Sequence, residues 1–290
     1  MTGMKKNRGR SQFVSILMRL RKNRLAMVGL IILLILVVLA VFADLIANYD
    51  TMVIGQRMSE RLQGPSFEHW FGTDQFGRDE FGRIIHGTRI SLTMSVIAMI
   101  IAVAVGAVIG AIAGYYGGFR DNILMRLMDI LLAIPPMLMA ITIVAALGQS
   151  MTNLLTALAI AYIPVFARVI RSSIMTIKEQ EFIEASRCCG SSDAHIIFKH
   201  IIPNAIGPII VQATLAMGAA ILIIASLSFM GLGVKPPAPE WGTMLYEGRD
   251  YMRQAPYLVL FPGFVITLTV ISLNLLGDGL RESLDPRMKN

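Results

Sequence analysis

Few side chains in this sequence are equipped for covalent chemistry, and their spacing excludes most of it. Four histidines, His69, His86, His195 and His200, are scattered without a partner at metal-ligand spacing. Cys188 and Cys189 are adjacent, so an unstrained disulfide between them is ruled out. They read as small half-buried side chains in a reducing compartment. Ser226 and Ser228 lie in an apolar run with no His or Asp at matching depth, and read as helix-packing residues rather than nucleophiles. No Gly-rich loop ending in Lys and Ser or Thr occurs, so the chain has no phosphate cradle of that kind. Asp44 and Asp129 sit near the ends of apolar runs, where a carboxylate can snorkel or pair, Asp129 with Arg126 for example. An ion relay would instead place acids near a membrane midplane. What remains is a pattern suited to mechanical contact: Glu184-Ala185-Ser186, then Gly190, then Pro203.

The elements that must position these residues are membrane spans. The 290 residues are 55% hydrophobic and 16% charged, with a mean hydropathy of +0.64. Soluble domains run to about 45–50% apolar and about 25% charged. No Asp, Glu, Lys or Arg falls between Arg24 and Asp44, Arg89 and Arg120, Asp129 and Arg168, Lys199 and Lys235, or Arg253 and Asp278. The third of these runs is too long for one crossing of about 20 residues, and Gly148 to Asn153 supply a polar turn within it. The spacing therefore predicts an all-α polytopic protein with six spans, near 25–47, 90–115, 122–147, 153–175, 206–231 and 256–276. Pro135-Pro136, Pro164, Pro208 and Pro262 would interrupt or kink several of them. With six spans both termini share a side. That side holds eighteen of the 26 Lys and Arg residues and the other holds eight, which places both termini in the cytoplasm. The net charge of +7 is thus a topology signal and needs no nucleic-acid partner.

Between the spans the chain divides into recognisable pieces. Residues 1–24 form a basic cytoplasmic arm in which Phe13, Val14, Ile16, Leu17 and Leu20 suggest an interfacial amphipathic helix. The first span, 25–47, exceeds a signal-peptide core and reads as retained. Residues 48–88 form an extracytoplasmic segment rich in turn residues, where Asp79 and Arg83 are spaced as a helix-surface pair. A second external segment, 234–255, opens on prolines, and its Trp241, Tyr246 and Tyr251 suit the water–lipid boundary. Residues 176–204 read as a helix–glycine–helix hairpin against the inner face of the membrane. Its first helix ends at Gly190, and Ser191, Ser192 and Asp193 offer caps for the second. Ile197 with Ile201, and Phe198 with Ile202, form an apolar stripe that Pro203 is expected to close. Core residues 89–277 and a cytoplasmic tail 278–290 complete the chain.

Glu184-Ala185-Ser186, Gly190 and Ile202-Pro203-Asn204 resemble the EAA signature of ABC-importer permeases, with Ser186 in place of the second Ala and Ile202 in place of Leu. Phe71-Gly72-Thr73-Asp74, Gly77-Arg78-Asp79, Arg89-Ile90-Ser91-Leu92, Pro239-Glu240-Trp241-Gly242 and Gly277-Asp278-Gly279-Leu280-Arg281 with Leu284-Asp285-Pro286-Arg287 are similar to the C-type permeases of dipeptide, oligopeptide and nickel importers. The resemblance implies a six-helix type I importer permease in the bacterial cytoplasmic membrane, and no enzyme. It implies a homologous B-type permease partner, two cytoplasmic ATPase subunits that bind ATP and Mg, and an extracytoplasmic substrate-binding protein. The chain itself would hold no cofactor. Glu184, Ala185, Ser186, Gly190, Ile197, Ile201 and Pro203 would form the coupling element that docks on an ATPase. Peptides are the expected substrate; nickel, glutathione or opine import is the alternative within the family, and an ion-coupled carrier the alternative outside it.

Overall fold

The computed structural model describes residues 18–284, so the arm expected around Phe13 to Leu17 and the tail from Asp285 lie outside the described residues. The helices are α1 Arg24–Val41, α2 Glu80–Tyr116, α3 Gly118–Leu132, α4 Pro136–Leu147, α5 Met151–Lys178, α6 Glu181–Cys188, α7 Asp193–Ile196, α8 Ile202–Phe229, α9 Trp241–Gly248 and α10 Tyr257–Leu284. Among the described residues the only extended pairing is an isolated bridge between Thr73 and Asp79. Five helical stretches are long and apolar enough to cross a bilayer, and α3 with α4 would make a sixth.

That sixth span departs from the straight helix expected over 122–147. α3 and α4 meet at 83° across Ala133 to Pro135. Pro135 and Pro136 have no amide to continue the ladder, and a proline pushes the residue before it out of the helical region. Pro136 instead opens α4, where its missing N–H costs nothing. A second departure is the length of α2. It has 37 residues, roughly 55 Å at 1.5 Å each, against about 30 Å of hydrocarbon. Its charge-free part starts only after Arg89, so its first turns project beyond the bilayer as part of the folded 48–88 segment. Asp79 starts it by accepting the Gly82 amide at 2.7 Å.

α5 is the centre of the bundle, packed by α2, α4 and α8, while α10 joins α8 to α1. Leu154, Leu158, Phe166, Ile170 and Ile174 of α5 are fully buried. α2 approaches it along Gly106, Gly110 and Gly114. A Cβ on Gly110 would lie 2.5 Å from the Ala167 carbonyl oxygen, so only glycine lets the two backbones come this close. α1 leans on α10 in the same way: a Cβ on Gly29 would fall 2.6 Å from the Ser272 oxygen. The outer face of α1 exposes Leu25, Ile31, Leu34 and Val38, as a lipid-facing helix does.

Candidate functional site

The hairpin hangs directly from the central helix. α5 ends at Lys178, two residues intervene, and α6 runs to Cys188, so the stretch expected as the hairpin's first helix is broken at Glu179 and Gln180. Gly190 has φ +78°. Its amide donates to the Arg187 oxygen at 2.9 Å, and the Ser191 amide reaches back to the Ser186 oxygen at 3.2 Å. Together these bonds form a Schellman cap, which needs a residue that enters the left-handed region without a Cβ penalty. The Ser186 hydroxyl donates to the Ser191 hydroxyl at 3.0 Å across the same turn. Ser192 caps α7 through its side-chain oxygen, which accepts from the His195 amide.

Pro203 does not close the second helix. A π-helical turn, Ile197–Ile201, carries α7 into α8, and Pro203 sits in the first turn of α8. The wider turn shifts the ladder by one residue just where the proline withholds its donor. The hairpin is thus continuous with a span at both ends.

Its two faces are unlike. Ile183, Ile196 and Ile201 are fully buried and join the main core with Ile174 and Ile177, and Ile197 packs against that core. Ile201 therefore lies on the bundle side, and Ile197 is half-buried beside it. Glu184, Ala185, Gly190 and Pro203 are exposed and Ser186 is half-buried. Phe198 is 71% exposed. Cys188 and Cys189 are both exposed, not half-buried as expected. Glu184 joins none of the ion pairs among the described residues. The hairpin is moored to the end of α2: the Tyr115 hydroxyl donates to Asp193 at 2.5 Å, and Lys178 Nζ donates to the Gly114 oxygen at 2.9 Å.

At the opposite end of the bundle, the 48–88 segment folds into a cap over the starts of α2 and α10. Asp79 and Arg83 do not pair. Asp79 meets His69 Nδ1 at 2.9 Å, while Arg83 spans Asp74 at 2.5 Å and Glu247 at 2.6 Å. Arg78 binds the same two carboxylates, at 2.5 and 2.9 Å. Trp241 is buried rather than at the water–lipid boundary, and its Nε1 donates to the Ile84 oxygen at 3.2 Å. Glu240 caps α9 by accepting from Gly242 and Thr243 at 2.9 Å and takes the Ser91 hydroxyl at 3.2 Å. Glu80, the first residue of α2, is buried in this cap, and desolvation pushes its carboxyl up to about 8. Asp129 pairs with Arg168 at 2.7 Å, not with Arg126.

Residues 106–290 match the family described as binding-protein-dependent transport system inner membrane component, and residues 11–65 match the N-terminal transmembrane domain of oligopeptide transport permease C. The chain is 50% identical over 272 residues to the dipeptide transport system permease protein of Alkalihalophilus pseudofirmus, covering 94% of this chain and 89% of that one. It is 44% identical over 271 residues to the glutathione transport system permease protein of Shigella flexneri serotype 5b, covering 93% and 89%. A structure of the MetNI methionine ABC transporter in inward-facing conformations superposes with a TM-score of 0.54 at 17% identity, over 71% of this chain and 98% of that one. An amino acid ABC transporter crystallised with histidines gives 0.50 at 19% identity, over 72% and 95%. These last two matches show the shared importer-permease fold. The chain belongs to the inner-membrane components of binding-protein-dependent transport systems, on the C-type permease branch of the peptide importers.

Proposed function

We propose that this chain pairs with a B-type permease to carry dipeptides or oligopeptides inward, driven by two ATPase subunits that bind ATP and Mg on the cytoplasmic side. A substrate-binding protein would deliver the peptide to the opposite face. In this reading the termini and residues 176–204 are cytoplasmic, and residues 48–88 and 234–255 are extracytoplasmic. The higher identity to a dipeptide permease than to a glutathione permease favours peptides.

The observation that carries the reading is the two-faced hairpin. Its apolar side is sealed to the bundle through Ile183, Ile196 and Ile201, while Glu184, Ala185 and Gly190 are exposed on the other. A carboxylate on a bare, capped helix is ready to accept a charge-assisted hydrogen bond, about twice as strong as a neutral one. Ala185 and Ser186 are small enough for a partner surface to come close. Ile197 and Ile201 serve the same element from behind, by fixing it to the spans that must move. The test uses the reconstituted importer carrying Gly190→Val or Glu184→Lys. Both variants should insert and pair with the sister permease, while ATP hydrolysis no longer drives uptake. Wild-type uptake in both would show that the hairpin is not the coupling element.

A further inference from the structure

At the hairpin end of the bundle, an open crevice of about 780 Å³ lies between α3 and α5. Pockets that hold small ligands run to about 300–1,000 Å³. Its wall carries Asp121, Arg126, Asp129, Arg168 and Arg171. α3 bends from the line of α4 by 83° at the proline break, and the crevice opens along its side toward α5.

The charges in it are not equivalent. Arg171 grips Asp121 with two bonds of 2.5 Å, and both are largely shielded, at 28% and 14% exposure. That pair ties α3 to α5 and is structural. Arg168 and Asp129 touch once, at 2.7 Å, with 57% and 59% exposure. An ion pair that open to water is worth about 0–1 kcal/mol, so its members can change partners at little cost. Arg126 is exposed and joins no ion pair among the described residues. The crevice thus offers one uncommitted cation beside one loosely held anion. With Asp121 held by Arg171, the set leaves Arg126 for an anionic group and Asp129, loosely shared with Arg168, for a cationic one, which suits a ligand with a charge of each sign at its two ends. Extended, a dipeptide spans about 7 Å between its charged ends.

We propose that this crevice forms part of the route by which a zwitterionic peptide leaves the bundle. Arg126 receives the peptide carboxylate, and Asp129 exchanges Arg168 for its ammonium group. The proposal rests on the importer reading above. α5 connects the two sites: its last turns carry Arg168 and Arg171 and run straight into the hairpin, so displacing the hairpin moves one wall of the crevice.

The test uses the complete importer in proteoliposomes and reads peptide carried per ATP hydrolysed. Arg126→Gln should lower that ratio about tenfold, the loss of roughly one charge-assisted contact. Arg126→Lys should restore most of it. In a second measurement, Asn122→Cys in a background with Cys188 and Cys189 replaced is labelled with a maleimide on the hairpin side. Peptide turnover should slow the labelling severalfold. An unchanged ratio in Arg126→Gln would overturn the proposal. So would an Asn122→Cys site that turnover does not protect, or one that the partner permease leaves unreactive with and without peptide. A wild-type complex that takes up no peptide would instead remove the importer reading, a result distinct from a variant that works as well as a working wild type.

Discussion

The two ends of the bundle handle charge in opposite ways. In the cap, Asp74, Arg78 and Arg83 are between 1% and 3% exposed and Glu247 closes the network from 164 residues away. On the hairpin, Glu184 is exposed and Arg187 keeps its guanidinium at the surface, 5.3 Å over the Tyr115 ring. Taking two charges out of water costs several kcal/mol per ion, recovered only when geometry and hydrogen bonding are nearly complete. The cap comes close to that condition within its own chain: each guanidinium reaches two carboxylates, leaving Arg83 Nε and Gln75 Oε1 without a partner, and Tyr257 closes the rim by donating to the oxygens of Gln63 and Thr73 at 2.8 and 3.0 Å. The hairpin ties Asp193 and Lys178 to the end of α2 but leaves Glu184 outside every ion pair among the described residues. One end satisfies most of its charges within the chain, and the other leaves Glu184 free for the partner proposed above.

The sharpest way to break this comparison is to remove an ion from the cap. Arg83→Ala leaves Arg78 as the one guanidinium facing Asp74 and Glu247, so one buried negative charge goes uncompensated, and should destabilise the protein by about 3–5 kcal/mol. The expected outcome is a large loss of folded material and a much lower melting temperature in detergent. A near-wild-type melting curve would mean that the cap is looser than its geometry indicates. Next in size is the apolar side of the hairpin. Ile183 is fully buried against the core, so Ile183→Ala should cost about 2–5 kcal/mol in packing. Because that loss falls where the hairpin is moored, hydrogen exchange should accelerate over residues 181–201 before the rest of the bundle responds.

A smaller, graded effect should come from pH. Glu80 lies beyond the bilayer at the start of α2, and burial holds its carboxyl neutral up to about 8, against about 4.5 when unfolded. Across that window the folded state binds the proton that the unfolded state has released. Stability from this group therefore falls as pH rises from about 4.5 to 8. A neutral Glu80 also leaves two carboxylates, Asp74 and Glu247, facing two guanidiniums, Arg78 and Arg83. Glu80→Gln should keep the neutral shape and flatten the dependence of melting temperature on pH over the same range. A slope unchanged by the substitution would place the titrating group elsewhere.

How much of this could be read in the residues depends on range. Gaps in the charge sequence mark the spans because burying a charge in hydrocarbon is costly wherever it occurs. Gly190 and the serines after it mark a turn because caps are local. The residues on the hairpin's exposed side are named by their resemblance to the EAA signature, not by a local rule. The failures were of longer reach. A four-residue rule paired Asp79 with Arg83, whereas Arg83 pairs with Asp74, nine residues back, and with Glu247, 164 residues on. Trp241 looked suited to a bilayer surface, but its indole is enclosed by α2. Pro203 has no donor whether it ends a helix or begins one, and only the π turn before it decides which. Gly106, Gly110 and Gly114 were visible at four-residue spacing, yet nothing local named α5 as the helix they approach.

The smallest effect on folding belongs to the hairpin end, and it separates the two regions most cleanly. Glu184 is exposed, lies outside every ion pair among the described residues, and sits in the first turn of α6. Glu184→Gln keeps the length and hydrogen-bonding oxygen of the side chain and removes only the charge. Exposed substitutions of this kind change stability by less than about 0.5 kcal/mol, so the melting curve of the isolated permease should not move. Against the ATPase subunits the outcome should differ. Replacing a charge-assisted bond by a neutral one weakens it by about half, roughly 1 kcal/mol, or about fivefold in affinity. Binding of purified ATPase to the permease pair, measured in nanodiscs, reads that loss directly. If melting and ATPase affinity both match wild type, Glu184 is a solvated helix charge, and the hairpin's contact must be sought at Phe198 and the turn around Gly190.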